Sequence, residues 1–205
     1  MLLISNGRML DPASGVDAPR DILLDGDRIA AVAPQGQLTE RSKGAERFEA
    51  RNLIVVPGFI DLHCHLREPG GESSETIETG TRAAAAGGFT AVCPMPNTRP
   101  VNDNASLTRS ILERAAAVSS VRVWPIGAAS VGSNGEALAE IAAMKQAGIV
   151  AVSDDGRPIA TAKLLRNVMD YCRALDLPVI DHCEDSSLFA GAVMREGKQS
   201  VRLGL

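Results

Sequence analysis

Aromatic side chains are scarce: one tryptophan, one tyrosine and four phenylalanines occur among 205 residues. The interior must therefore be aliphatic, and the dominance of Ala, Val, Ile, Leu and 19 glycines matches buried parallel strands alternating with Ala-rich helices and tight turns. At 45% apolar residues, a disordered chain is excluded. No window approaches the roughly 18 consecutive apolar residues of a transmembrane helix, so no membrane partner is expected. Basic charge is not in excess either. With 21 basic and 25 acidic residues scattered along the chain, the formal charge is -4, and no basic stripe offers a surface to nucleic acid. Cys64, Cys93, Cys172 and Cys183 lack CxxC spacing, and MLLISNGRML is too short and too polar for a signal peptide. These absences point to a reducing, cytoplasmic setting.

What is present is organised in two textures. Residues 1–55 carry strand-like runs, LLIS, DILLDGDRIAAVA and NLIVV, broken by turn signals at Asn6-Gly7, Pro12 and Asp25-Gly26, as expected of a small β unit. Residues 56–205 follow a strand-then-helix rhythm. Expected strands are LIVVPGFIDLHCHL (which begins just ahead of that boundary), FTAVCPM, VRVWPIGAAS, IVAVSDD and PVIDHCED. Helices are expected over about 74–86, 105–118, 136–146 and 160–174, with Glu75 and Glu78 favourable at the first helix start and Gly87 and Gly148 as stops. Five βα units result. A closed eight-stranded barrel takes about 250 residues, so this chain is too short to close one.

Histidine is rarer still than the aromatics, with three in the chain, yet two of them stand one residue apart in DLHCHLR. On a strand, His63 and His65 point to one face and can converge on one ion. They lie at the C-terminal end of a parallel strand, where α/β folds place their sites. His182 ends another apolar strand, and Asp154-Asp155 end the strand before it. Taken singly, each has a plainer account: an H-x-H pair on the surface, a turn at Asp-Asp-Gly, a satisfied core histidine. Together they form the beginning of a binuclear metal site, in which a carboxylate bridges two cations and supports hydrolysis or its reverse.

VPGFIDLHCHLREPG, TGTRAAAAGGFTAVCPMPNTRP, SDDGRP and DHCED together resemble the long, bacterial type of dihydroorotase within the amidohydrolase superfamily. That resemblance implies an α/β fold, an incomplete TIM-type (β/α)8 barrel, with residues 1–55 forming part of a small β-sandwich-like domain built from both chain ends. It implies that His63 and His65 bind one Zn2+, that Asp155 bridges two such ions in the complete enzyme, and that His182 binds the second. Asp155 is preferred to Asp154 because it matches the family's spacing. Hydantoinases bridge with a carboxylated lysine, and no lysine occurs between Val150 and Ala162, which argues against hydantoin substrates. Arg67 and Asn97 match the family's substrate contacts, a guanidinium for a carboxylate and an amide for an amide-like ring, with His65 beside them. Arg67 is expected on the same face as His63 and His65, with Leu62, Cys64 and Leu66 packed behind. Cys183, too, is expected to be a packing residue.

The implied reaction is the reversible conversion of N-carbamoyl-L-aspartate and dihydroorotate in pyrimidine biosynthesis. A further histidine ligand, a proton-shuttling aspartate and the last barrel strands are expected beyond Leu205, so the 205-residue chain itself is expected to be poorly active or inactive. Two alternatives stand beside this reading. One is a non-catalytic partner of aspartate transcarbamoylase, against which the retained ligands speak. The other is a different cyclic amidohydrolase such as an allantoinase. A homodimer and an association with aspartate transcarbamoylase are both left open.

Overall fold

In the computed structural model, which describes every residue except Ala160, Ser186, Ser187, Phe189 and Ala190, the chain divides into Met1–Gly58 and Phe59–Leu205. The first unit contains β1 (Leu2–Asp11), β2 (Val16–Asp25), β3 (Arg28–Pro34), β4 (Glu46–Glu49) and β5 (Ile54–Val55). They form one mixed sheet ordered β3-β2-β1-β4, with β5 also on β1. The two hairpins are antiparallel, whereas β4 and β5 run parallel to β1. A bulge between Ile4 and Gly7 would leave polar backbone unpaired, and the buried carboxylate of Asp21 meets part of that need by accepting the Asn6 N–H at 3.0 Å, while also accepting the Gly36 N–H of the loop after β3 at 2.7 Å. Leu3, Leu23 and Leu38 pack together as this unit's buried cluster.

The second unit contains β6 (Phe59–Cys64), α1 (Ile77–Ala86), β7 (Phe89–Pro94), α2 (Ala105–Val118), β8 (Arg122–Val123), β9 (Ile126–Gly127), α3 (Ile141–Ala147), β10 (Ala151–Val152), α4 (Ala162–Ala174) and α5 (Lys198–Leu203). β6, β7 and β8 pair in parallel, β9 pairs in parallel with β10, and Val152 makes a parallel bridge to Val179. Neighbours in space therefore follow chain order, as helical crossovers require. Helices α1, α2 and α4 start where side chains satisfy their first N–H groups. Thr76 and Thr79 cap α1 reciprocally, Asn104 Oδ1 accepts the Leu107 N–H, and Thr161 Oγ1 accepts the Leu164 N–H.

The expected elements are modified in several places, beginning with the first strand, which is split into β5 on β1 and β6 on β7. The third strand is interrupted at Trp124-Pro125. Trp124 N–H still bonds Val92 O, but Pro125 has no N–H and its carbonyl instead accepts from Val150, so the strand changes neighbours there. The helix expected over 136–146 begins only at Ile141, because the preceding segment folds back: Val131 N–H bonds Ala137 O and Ala139 N–H bonds Ala129 O. The fifth strand is reduced to the bridge at Val179. Ala160, the expected first residue of the fourth helix, lies outside the described residues.

Apolar residues lie on both faces of these strands, as buried parallel strands require. On the helix side, Ile141, Met144, Val152, Leu164 and Val168 form one cluster, and Leu66, Ile77, Val92, Ile111 and Val123 another. On the opposite side, Cys93, Ile126 and Ala151 form a third, next to an apolar cleft of about 530 Å³ lined by Leu62, Trp124, Val150, Pro178 and Ile180. Among the described residues, no helix is long and apolar enough to cross a membrane.

Candidate metal centre

Strand β6 carries an extra residue relative to β7: Asp61 pairs with Val92 but Cys64 with Pro94. Such a bulge re-aims side chains. The Asp61 carboxylate accepts the His63 N–H at 3.0 Å across it. Cys64 and Leu66 pack against the Ile77–Val92–Ile111 cluster, as the alternation predicts. Leu62 does not. It is 66% exposed and faces the apolar cleft on the other side, so the expected packing of Leu62 is corrected by the bulge. Burial beside Asp61 pushes the Cys64 thiol up to about 12, which keeps it a protonated packing group. Cys183, by contrast, is exposed and is not the packing residue expected.

His63, His65 and Asp155 come together, each offering a ligand atom within 4.8 Å of the others. Asp155, three residues past β10, is only 9% exposed. Its Oδ1 lies 3.4 Å from His63 Nε2 and 3.7 Å from His182 Nδ1, and its Oδ2 lies 3.6 Å from His65 Nε2. His182 also approaches Glu184, at 3.5 Å. These separations exceed the roughly 2.7–2.9 Å of a charge-assisted hydrogen bond. They suit a cation between the groups, because two ligand atoms each about 2.1 Å from a tetrahedral ion lie about 3.4 Å apart. Two imidazoles and a carboxylate also form a donor set that suits zinc and its neighbours better than calcium or magnesium.

Asp154, the adjacent carboxylate, has a different setting. It is buried at 1% exposure and accepts the Ala129 N–H at 2.9 Å, the Ser130 N–H at 3.0 Å and the Ser130 hydroxyl at 2.5 Å. Its lone pairs are committed to the loop after β9. The sequence does not separate the two aspartates physically, since the loop that claims Asp154 lies about 25 residues earlier.

Arg67 interrupts the expected alternation of the backbone. Its φ of 60° breaks the extended segment, and the Glu68 N–H turns back to Leu66 O at 2.7 Å. Glu68 fastens this turn by accepting the Ile77 N–H at the start of α1 and the Arg114 guanidinium of α2, both at 2.8 Å. Arg67 nevertheless lines one polar cleft of about 430 Å³ with Gly70, Gly71, Ser74, Asn97 and Arg99. Arg99, in that wall, is a cation that sequence reading passed over. The two loops meet because Gly70, at φ 89°, has no Cβ, and one built there would lie 2.2 Å from Arg99 O. Gly70→Ala should therefore destabilise the protein by about 1–3 kcal/mol and open the cleft, checked by denaturant unfolding. A cost below about 0.5 kcal/mol would contradict that close approach.

Asn97 touches both sides of the cluster. Its Oδ1 lies 3.0 Å from His65 Nδ1, and its Nδ2 donates to Asp155 Oδ2 at 3.2 Å.

The dihydro-orotase-like family model matches residues 52–205. A dihydroorotase of Solibacter usitatus (strain Ellin6076) is 55% identical over 204 residues, covering 100% of this chain and 46% of that protein. One from Anaeromyxobacter sp. (strain K) is 53% identical over 205 residues, again covering 100% of this chain and 47% of the relative. The chain thus spans about half the length of the curated relatives it matches. Among solved structures, L-hydantoinase (dihydropyrimidinase) from Arthrobacter aurescens superposes with a TM-score of 0.79 at 20% identity, covering 93% of this chain and 42% of that one, which establishes a common fold. Identity this high across the whole chain, together with the matched family model, makes this protein a member of the dihydroorotase-like family.

Proposed function

We propose that this chain carries the metal-binding and substrate-orienting portion of a zinc-dependent dihydroorotase, which interconverts N-carbamoyl-L-aspartate and dihydroorotate in pyrimidine biosynthesis. The observation that carries the reading is the set of non-bonded separations, 3.4 and 3.6 Å, between a buried carboxylate and two imidazoles. His63, His65 and Asp155 would hold one Zn2+, and Asp155 with His182 a second. Zinc in such a site polarises a carbonyl and makes water nucleophilic at neutral pH. The parallel strands in chain order, with an apolar cleft on the side away from the helices, fit the first units of a TIM-type barrel. The four free cysteines fit a reducing cytoplasm.

The chain's own groups account for binding and orientation. Arg67 has no carboxylate partner among the described residues and faces the polar cleft, where its guanidinium can take a substrate carboxylate through paired hydrogen bonds. The substrate's reacting carbonyl would then lie toward Asp155, while the loops around Gly70 and Arg99 wall off part of the solvent. The buried surroundings of Asp155 would leave a cation placed beside it little screened from its carboxylate.

The test is to measure metal content and dihydroorotate hydrolysis for the 205-residue chain and for the same chain completed with the C-terminal half of the Solibacter relative. A completed protein that neither binds zinc nor turns over dihydroorotate would end this reading. Within the completed protein, Arg67→Met should raise KM by about tenfold or more, the loss of one bidentate charged contact, and leave bound zinc unchanged. Loss of zinc instead would place Arg67 among the groups that hold the metal centre.

A further inference from the structure

The side-chain amide of Asn97 is already committed within the metal cluster. Resting on the zinc reading above, we infer that Asn97 is a positioning residue that fixes how His65 and Asp155 present themselves to the ion. The inference follows from hydrogen-bond roles alone. An ionised carboxylate can only accept, so the Asn97 atom 3.2 Å from Asp155 Oδ2 must be the amino group. Its carbonyl oxygen then faces His65 Nδ1 at 3.0 Å, and that oxygen can only accept. Nδ1 of His65 must therefore carry the proton. The remaining nitrogen, Nε2, is left with its lone pair directed toward Asp155, 3.6 Å away, which is the tautomer a metal ligand needs.

Without the amide, His65 could place its proton on Nε2 and donate directly to Asp155, closing the gap in which an ion would sit. Asn97 thus opposes a collapsed pairing of two ligands. It reaches them from the turn after β7, where Thr98 N–H bonds Pro96 O and Asn102 N–H bonds the same carbonyl, so the amide is carried on a tied backbone. Because Asn97 also lines the cleft of Arg67 and Arg99, a disturbance there passes to the ligands without any residue touching the ion. Outer groups of this kind typically change metal affinity by about 10–100-fold.

Two measurements on the 205-residue chain test the inference. Long-range proton–nitrogen NMR of the metal-free protein, in buffer alkaline enough to keep imidazoles neutral, should show His65 protonated on Nδ1 in the parent. In Asn97→Ala the signal should move toward the Nε2-protonated form. Zinc binding, read by competition with a chromophoric chelator, should weaken about tenfold or more in Asn97→Ala. Asn97→Asp provides the second variant, since its carboxylate still accepts from Nδ1: the His65 tautomer should persist there, in contrast to Asn97→Ala. An unchanged tautomer and zinc affinity in Asn97→Ala, with the parent binding zinc normally, would overturn the inference and leave Asn97 as a substrate contact only. A parent chain that binds no zinc, yet shows the Nδ1 tautomer lost in Asn97→Ala, would instead overturn the zinc reading while the positioning role stands.

Discussion

Replacing Asp155 with alanine should lower zinc affinity by well over 100-fold, beyond the roughly 10–100-fold typical of groups that only support a ligand. Among the described residues, Asp155 is the carboxylate that His63, His65 and His182 all approach, at 3.4, 3.6 and 3.7 Å, and the residue to which Asn97 donates at 3.2 Å. Its removal takes away the carboxylate that the three imidazoles share among the described residues. Asp155→Asn keeps the volume and loses the charge, so it should fail nearly as badly, which separates electrostatics from packing. Chelator competition on the 205-residue chain reads the affinity, and in a completed protein dihydroorotate hydrolysis should fall to background. Zinc binding within tenfold of the parent in both variants would show that the ion, if bound, is held elsewhere.

How far such a centre can be read from sequence depends on the range of the forces that build it. The period of two along β6 is local, so the convergence of His63 and His65 is legible in DLHCHLR. α2 is equally legible, since an Asn104 cap and a buried stripe at Ala105, Thr108, Ile111 and Ala115 are local to the helix, and the expected bounds of 105–118 match those observed. The bulge that turns Leu62 away is not legible, because it is a mismatch between β6 and β7 and belongs to neither alone. The break at Pro125 has a visible cause, a missing N–H, but its consequence, a change of partner from β7 to β10, needs the neighbouring strands. Arg67 shows the same limit. Its residue type suits it to a carboxylate, while its φ of 60° accompanies a turn fastened by Glu68 to α1 and α2. Asn97 joins residues 32 and 58 positions away, and no spacing rule reaches that far.

The two adjacent aspartates should also separate in their effects on stability. Asp155 faces the histidines, whereas Asp154 faces the loop after β9. Asp154→Ala leaves the Ala129 and Ser130 N–H groups and the Ser130 hydroxyl without the acceptor they share at 2.9, 3.0 and 2.5 Å, in a place where Asp154 is 1% exposed. Buried donors that lose a charged acceptor cost about 1–3 kcal/mol each, and partial relaxation sets the expected total at about 4 kcal/mol. For a chain of this size that corresponds to a fall in Tm of about 8–16 °C, measurable by circular dichroism on metal-free protein. Asp154→Asn retains one carbonyl oxygen for the two N–H groups, and its amino group can donate to the Ser130 hydroxyl, which already accepts from Gly135 N–H at 2.8 Å, so it should lose less than half as much. Asp155→Ala, measured the same way without metal, should change Tm by only about 2 °C or less, because its carboxylate takes one hydrogen bond from Asn97 and otherwise faces histidines at longer range. The crossed pattern is what matters. Asp154 variants should lose stability and Asp155 variants should lose zinc, and a reversal of those two columns would exchange the roles of the pair.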